Sequence, residues 1–216
     1  MSILIDEMST STEGTETRIS GVAVAQVISN TDLTGQGRVQ LKLPWLPGFE
    51  PWARVAVLLA GSNRGTYFIP QEGDEVLVAF EQGDVRQPFV IGCLWNASDT
   101  PPASSPLDPV AKRIIRTPQG HVMEFDDTLQ SVTITTLSQQ TIKMDANQIK
   151  LSTSGGTATV TLDTSGTIKL QAAQSIELKA PTITLDGLNV TVKGSASTKV
   201  DGGATCSIQA GLVKIN

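Results

Sequence analysis

The sequence has 216 residues, with 16 Lys and Arg against 21 Asp and Glu, a formal net charge of −5 and only 4% aromatic residues. The basic residues are scattered, which excludes the cation clusters that grip nucleic-acid phosphates or an anionic membrane surface. Cys93 and Cys206 are too sparse for a disulfide framework and are expected to be small buried apolar residues, and with His121 as the one histidine they cannot make an ordinary zinc site in one chain.

With 19 Gly, 11 Pro and abundant Ser and Thr, the composition suits β-structure with many turns. No stretch of ten or more residues carries a helical apolar period, so the expected fold class is all-β. Residues 1–18 are polar and read as a flexible N-terminal arm. The start, Met1-Ser2-Ile3-Leu4-Ile5-Asp6-Glu7, lacks the basic segment and long apolar run of a secretory signal. The chain is therefore expected to be made in the cytoplasm and to leave, if it leaves, without a cleaved signal.

Residues 19–98 form the first expected domain. Its strand candidates are 21–28, 38–43, 53–59, 75–80 and 89–94. Turn signals at Thr34-Gly35-Gln36-Gly37, Pro47-Gly48, Gly73-Asp74 and Gly83-Asp84 separate them. Five short strands in so short a segment suit a small closed barrel such as an OB-fold, because closure removes exposed strand edges. Residues 99–108, rich in Pro and Ser, read as a linker.

Residues 109–216 carry a repeat. Apolar–polar–apolar triplets begin at Val132, Ile142, Ile149, Val160, Ile168, Ile176, Ile183 and Val190, weaken at Thr198 and Cys206, and return at Val213. From Ile168 the starts are 8, 7, 7, 8, 8 and 7 residues apart. The i, i+2 apolar spacing and β-branched content exclude a coiled coil. Each unit is a short strand plus a turn, with two apolar side chains on one face and Lys, Thr or Glu on the other. A single-chain β-helix takes roughly twenty residues per coil to supply its faces. A unit of seven or eight supplies one face, so three chains around one axis are expected. The alternative is a flat meander with one exposed apolar face, which would aggregate.

Several runs resemble a known family. They are Gly37-Arg38-Val39-Gln40-Leu41-Lys42-Leu43-Pro44-Trp45, Pro51-Trp52-Ala53-Arg54-Val55-Ala56, and Phe68–Val78 followed by Phe80-Glu81-Gln82-Gly83-Asp84. Arg86–Gly92, Trp95-Asn96 and the junction Arg116–Asp127 extend the likeness. Together they resemble the phage baseplate-spike and type VI secretion VgrG family. The resemblance implies an OB-fold barrel followed by an intertwined trimeric triangular β-helix at 109–216. It implies a membrane-piercing baseplate spike in a phage tail, a tailocin or an extracellular contractile injection system. The partners implied are two further copies, a trimeric hub protein, a PAAR-like tip protein and the target cell envelope, with no nucleic acid.

Fewer than twenty residues precede the barrel, so the hub is expected to be a separate protein. The ten-residue linker leaves no room for the lysozyme some phage spikes insert. The His-x-His iron site of some small spikes is absent from the sequence, so no metal, no cofactor and no catalytic residue is expected. The end, Leu212-Val213-Lys214-Ile215-Asn216, looks like the flat tip that a PAAR-type protein caps. Trp45 and Trp52 are read as barrel-end or hub contacts, against the alternative of a stacking platform for bases or sugars. His121 is read as packing in a turn, and Asp126 with Asp127 as a turn. The competing functions are a β-helix cell-wall-degrading enzyme, which needs a carboxylate pair in a groove, and an OB-fold nucleic-acid binder, which needs basic residues among aromatics.

Overall fold

The computed structural model describes residues 18–103, 105 and 110–214. It divides into two compact units, 1–116 and 117–216. Most of the expected N-terminal arm, part of the expected linker, and Ile215 and Asn216 lie outside the described residues.

The first unit contains β1 (Val22–Ser29), β2 (Val39–Lys42), β3 (Trp52–Val55), β4 (Ala60–Gly61), β5 (Arg64–Gly65), β6 (Glu75–Phe80), β7 (Pro88–Leu94) and β8 (Lys112–Arg116). Strands β1-β2-β3-β7-β6 close into a barrel, antiparallel except where β3 meets β7. Alternation drives the closure. On β6, Val76, Val78 and Phe80 point inward and are buried, while Glu75, Leu77 and Ala79 point out. Ala25, Val27, Val39, Leu41, Leu43, Ala53 and Val90 complete one core. Full burial of each Val or Leu side chain is worth about 1.5–3 kcal/mol, so this small barrel has a sufficient core of its own.

The run expected as a strand at 53–59 stops at Val55. Residues beyond it enter a ribbon, β4 paired with β5, that pairs with no other strand. Leu58 is 96% exposed, so the apolar run finds no core to face. Gly65 is obligatory in this ribbon. Its φ is +151°, and a Cβ there would strike the Leu59 carbonyl oxygen. The expectation that both cysteines are buried is corrected: Cys93 and Cys206 are exposed in the described chain. Cys93 sits just beyond the bulge between β6 and β7, near the end of β7 and opposite the buried Val76.

The second unit contains β9 (Val122–Asp126), β10 (Ser131–Thr135), β11 (Thr141–Met144), β12 (Gln148–Ser152), β13 (Ala158–Asp163) and β14 (Ile168–Ala172). These lie in sequence order as an antiparallel meander. For the five triplets from Val132 to Leu170, then, each chain forms on its own the meander allowed as the alternative. Turns of three to five residues let each strand fold back on the last. Residues 173–214 contain no strand among those described.

Candidate functional site

Two surfaces carry the residues singled out by sequence: the barrel's tryptophans and the apolar face of the repeats. Trp45 stands on the turn after β2, where the Leu46 N–H donates to the Leu43 carbonyl at 3.0 Å. Its ring meets Phe80 edge-on, with centroids 6.1 Å apart at 84°. Trp52 opens β3, and the Arg38 guanidinium lies 5.6 Å from its ring centroid. Each tryptophan is thus anchored to a different barrel residue.

Arg38 is itself fixed. The Asp32 carboxylate accepts its Nη2 at 3.1 Å and its Nε at 3.3 Å. The same carboxylate accepts the backbone N–H groups of Thr34, Gln36 and Arg38, and the Thr34 hydroxyl at 2.7 Å. The Arg38 and Thr34 side chains hold the Asp32 carboxyl far below the usual carboxylate range. The loop from Asp32 to Arg38 is therefore a charge-locked unit that ends against Trp52. From sequence alone this segment reads only as a Gly-rich turn. Its signal was an Asp followed six residues later by an Arg.

On the repeat unit, register decides which side chains share a face. Val132 pairs with Met144 and Ile134 with Ile142. Ile142 pairs with Leu151, Met144 with Ile149, Ile149 with Leu162 and Leu151 with Val160. Val160 pairs with Leu170 and Leu162 with Ile168. Cross-strand partners point the same way, so the triplets form one continuous apolar face. The middle residues form the opposite face: Thr133 pairs with Lys143, Lys143 with Lys150, Lys150 with Thr161 and Thr161 with Lys169.

The apolar face is uncovered. Ile142, Ile149, Leu151, Ile168 and Leu170 are all exposed, and a groove of about 510 Å³ runs over this face between Ile134 and Ile176. Beyond the meander, Ile176, Leu178, Ile183, Leu185, Val190 and Val192 are exposed as well. Among the described residues from 174 to 214, backbone pairs with backbone once, from the Thr205 N–H to the Gly202 carbonyl at 3.1 Å. Such a run of apolar triplets and open backbone groups is unfinished as a structure in one chain.

Acidic residues cap the turns between strands. Asp145 accepts the N–H groups of Asn147 and Gln148, and Asp163 accepts those of Ser165 and Thr167 together with the Ser165 hydroxyl. The carboxyl of Asp145 is lowered chiefly by the Asn147 N–H, and that of Asp163 chiefly by the Ser165 hydroxyl.

The remaining singled-out residues fall in turns or at the end. His121 closes the turn from Thr117, and its Nδ1 accepts the Leu137 N–H at 3.4 Å. Asp126 is buried at the end of β9 and accepts the Leu129 N–H at 2.8 Å, while Asp127 is exposed in the following turn. Leu212, Val213 and Lys214 are exposed. Among the described residues no group of three or more His, Cys, Asp or Glu side chains could hold a metal ion, and no helix is long and apolar enough to cross a membrane.

A closed five-stranded barrel followed by a strand–turn repeat defines a class. Residues 23–95 match the family described as the type VI secretion system/phage-baseplate injector OB domain. The chain resembles the VgrG-type spike proteins. It is 38% identical over 87 residues to the type VI secretion system spike protein VgrG3 of Vibrio cholerae, covering 38% of this chain and 8% of that one. It is 39% identical over 87 residues to the actin cross-linking toxin VgrG1 of the same species, with the same coverage. It is 29% identical over 135 residues to the spike protein VgrG2a of Pseudomonas aeruginosa, covering 56% of this chain and 16% of that one. The matches span less than a fifth of these relatives' length.

Proposed function

We propose that three copies of this chain form the central spike of a contractile tail machine, a barrel base bearing an intertwined triangular β-helix at residues 109–216. The observation that carries this reading is the uncovered apolar face, in register from Val132 to Leu170 and continued by exposed triplets from Ile176. Three such faces turned inward would cover one another, and the open backbone groups of 174–214 would find partners on neighbouring chains. The likeness to spike proteins supports the same assembly.

In this reading the spike acts mechanically. The sheath contracts, the tube advances, and a narrow rigid tip reaches the envelope first. The meander's polar face, of Thr, Lys, Ser and Gln with Glu124 and Asp163 on separate strands, suits a solvated shaft better than a hydrolytic groove. The barrel would seat on a trimeric hub through Trp45 and Trp52. The end formed by Leu212, Val213, Lys214, Ile215 and Asn216 would be capped by a PAAR-like protein. The assembled site is a virion baseplate, a tailocin or an extracellular injection particle.

Light scattering on the purified full chain tests the core of the proposal. A trimeric mass is expected, and a monomeric mass would overturn it. Clear activity of the purified protein in a wall-degradation assay would overturn the mechanical reading.

A further inference from the structure

Charge is unevenly spread around the barrel. A groove of about 780 Å³ lies between residues 35–37 and the β4–β5 ribbon. Arg54, Asn63, Arg64, Thr66 and Tyr67 line it, and no carboxylate among the described residues does. Neither arginine has a carboxylate partner among those residues, and the Asp32 carboxylate of the adjoining loop is held by Arg38. The Thr66 hydroxyl oxygen is buried without a hydrogen-bond partner. Two unpaired guanidinium groups and an unsatisfied hydroxyl suit an anionic occupant.

A row of side chains leads to this groove from the point where the chain enters the barrel. Arg18 bridges to Asp84, and the Ile19 N–H donates to the Gly83 carbonyl at 2.9 Å, so the entry lies at the turn between β6 and β7. Four residues on, Val22 pairs with Ala79, Ala79 with Phe89 and Phe89 with Arg54. The Arg54 guanidinium lies 5.4 Å from the Phe89 ring centroid, so the four side chains share the outer face. In the next row Val24 pairs with Leu77, and both Val22 and Val24 are exposed. Farther along, Lys42, Gln26 and Glu75 form a row carrying both signs of charge. At the entry Asp84 is paired with Arg86, and Glu81 stands near Arg18. The face is therefore apolar over β1, β6 and the start of β7, and cationic where it reaches β3 and the groove.

Residues 1–17 contain the complementary pattern. They hold four acidic residues, Asp6, Glu7, Glu13 and Glu16, and no basic one. Their apolar run Ile3-Leu4-Ile5 is followed at once by Asp6-Glu7, the same order of apolar then charged as the row that ends at Arg54. Neighbouring strands lie about 4.8 Å apart, so Val22 to Arg54 is about 14 Å, and the four steps from residue 3 to residue 7 cover about 13 Å when extended. The ten residues from 8 to 17 reach up to about 33 Å, enough to return from Arg54 to the entry. We propose that Ile3-Leu4-Ile5-Asp6-Glu7 docks on this face of its own barrel. Ile3 and Ile5 would cover the apolar row, and the two carboxylates would face Arg54 and Arg64. The tether holds the segment at an effective concentration of about millimolar, so contacts of modest strength suffice. The docking concerns each barrel by itself and is independent of the oligomeric mass.

Cysteine cross-linking of the full chain tests this. In a Cys93→Ser, Cys206→Ser background, Met8→Cys is combined with Tyr67→Cys in the groove or, as a control for random encounters, with Lys42→Cys, exposed on β2. Each is treated with a short bismaleimide, and peptide mapping with a denaturing gel reads the product. The expected product is an internal link at monomeric mass, formed faster with Tyr67→Cys than with the control. Arg54→Glu with Arg64→Glu should slow it by about tenfold, and adding Asp6→Arg with Glu7→Arg should restore it. If the Arg54→Glu barrel melts poorly, Arg64→Glu alone on the ribbon carries the comparison. Equal rates for the two cysteine partners, or charge reversal without effect, would overturn the docking. Links between chains, seen as dimeric or trimeric mass from the groove pair, would overturn the assignment to the segment's own barrel.

Discussion

Replacing Leu178 with Asp separates an assembled repeat from a lone one. In the described chain Leu178 is 65% exposed, and no strand contains it. If that exposure were its working state, the substitution would change stability by no more than about 0.5 kcal/mol, as surface changes do. If three copies turn this side chain inward, the wild type gains the remaining burial. About two-thirds of a full leucine value is about 1–2 kcal/mol per chain, or about 3–6 kcal/mol per trimer. The aspartate forfeits that gain and brings three carboxylates together in a dry core, at a penalty of several kcal/mol for each ion. Light scattering and a thermal melt would read the outcome. The expected variant loses trimeric mass while its barrel, with its own core, still melts cooperatively. Glu177→Ala, altering the polar position of the same triplet, should keep wild-type mass and melting. A Leu178→Asp protein with unchanged mass and melting temperature would refute the inward assignment of the triplets.

Two further predictions concern the barrel. The Asp32 carboxyl titrates below its usual value, so its contribution to stability is present above about pH 3.9, the unfolded value, and is lost as pH falls through the folded one. Urea melts of Asp32→Asn should give lower stability at pH 7 and a shallower decline on acidification than wild type; parallel curves would contradict the charge lock. Gly65→Ala forces a Cβ against the Leu59 carbonyl at positive φ and should cost on the order of 1–3 kcal/mol in a thermal melt, with an unchanged melt contradicting the strain.

Much of the barrel was legible because its alternation is strict. The run Glu75–Phe80 carries inward Val76, Val78 and Phe80 between clear turn signals, and the strand occupies those residues. The run from Ala53 to Leu59 misled for the opposite reason. Its composition suits a strand throughout, but only the part through Val55 finds partners on β2 and β7, and tertiary context decides such cases. The ribbon was invisible because its two-residue strands are too short for periodicity. The role of Arg38 was equally hidden, since nothing local says that a carboxylate six residues back will aim a guanidinium at Trp52. Cys93 illustrates a further limit: residue type favours burial and its cross-strand partner Val76 is buried, yet at the end of β7 the thiol is exposed.

The contrast between a barrel with its own core and repeats with an uncovered face also sets an order of events. Barrel closure is unimolecular and independent of concentration, whereas in the trimer proposed above covering the repeats would require encounters between chains. Triplets spaced seven or eight residues apart are nearly interchangeable, so three chains meeting at random along them could pair one unit out of step. Chains that already carry folded barrels would enter from a common starting point, and the repeats would align outward from it. A truncation lacking the barrel would then be expected to yield mixed, slipped assemblies even though every triplet is still present.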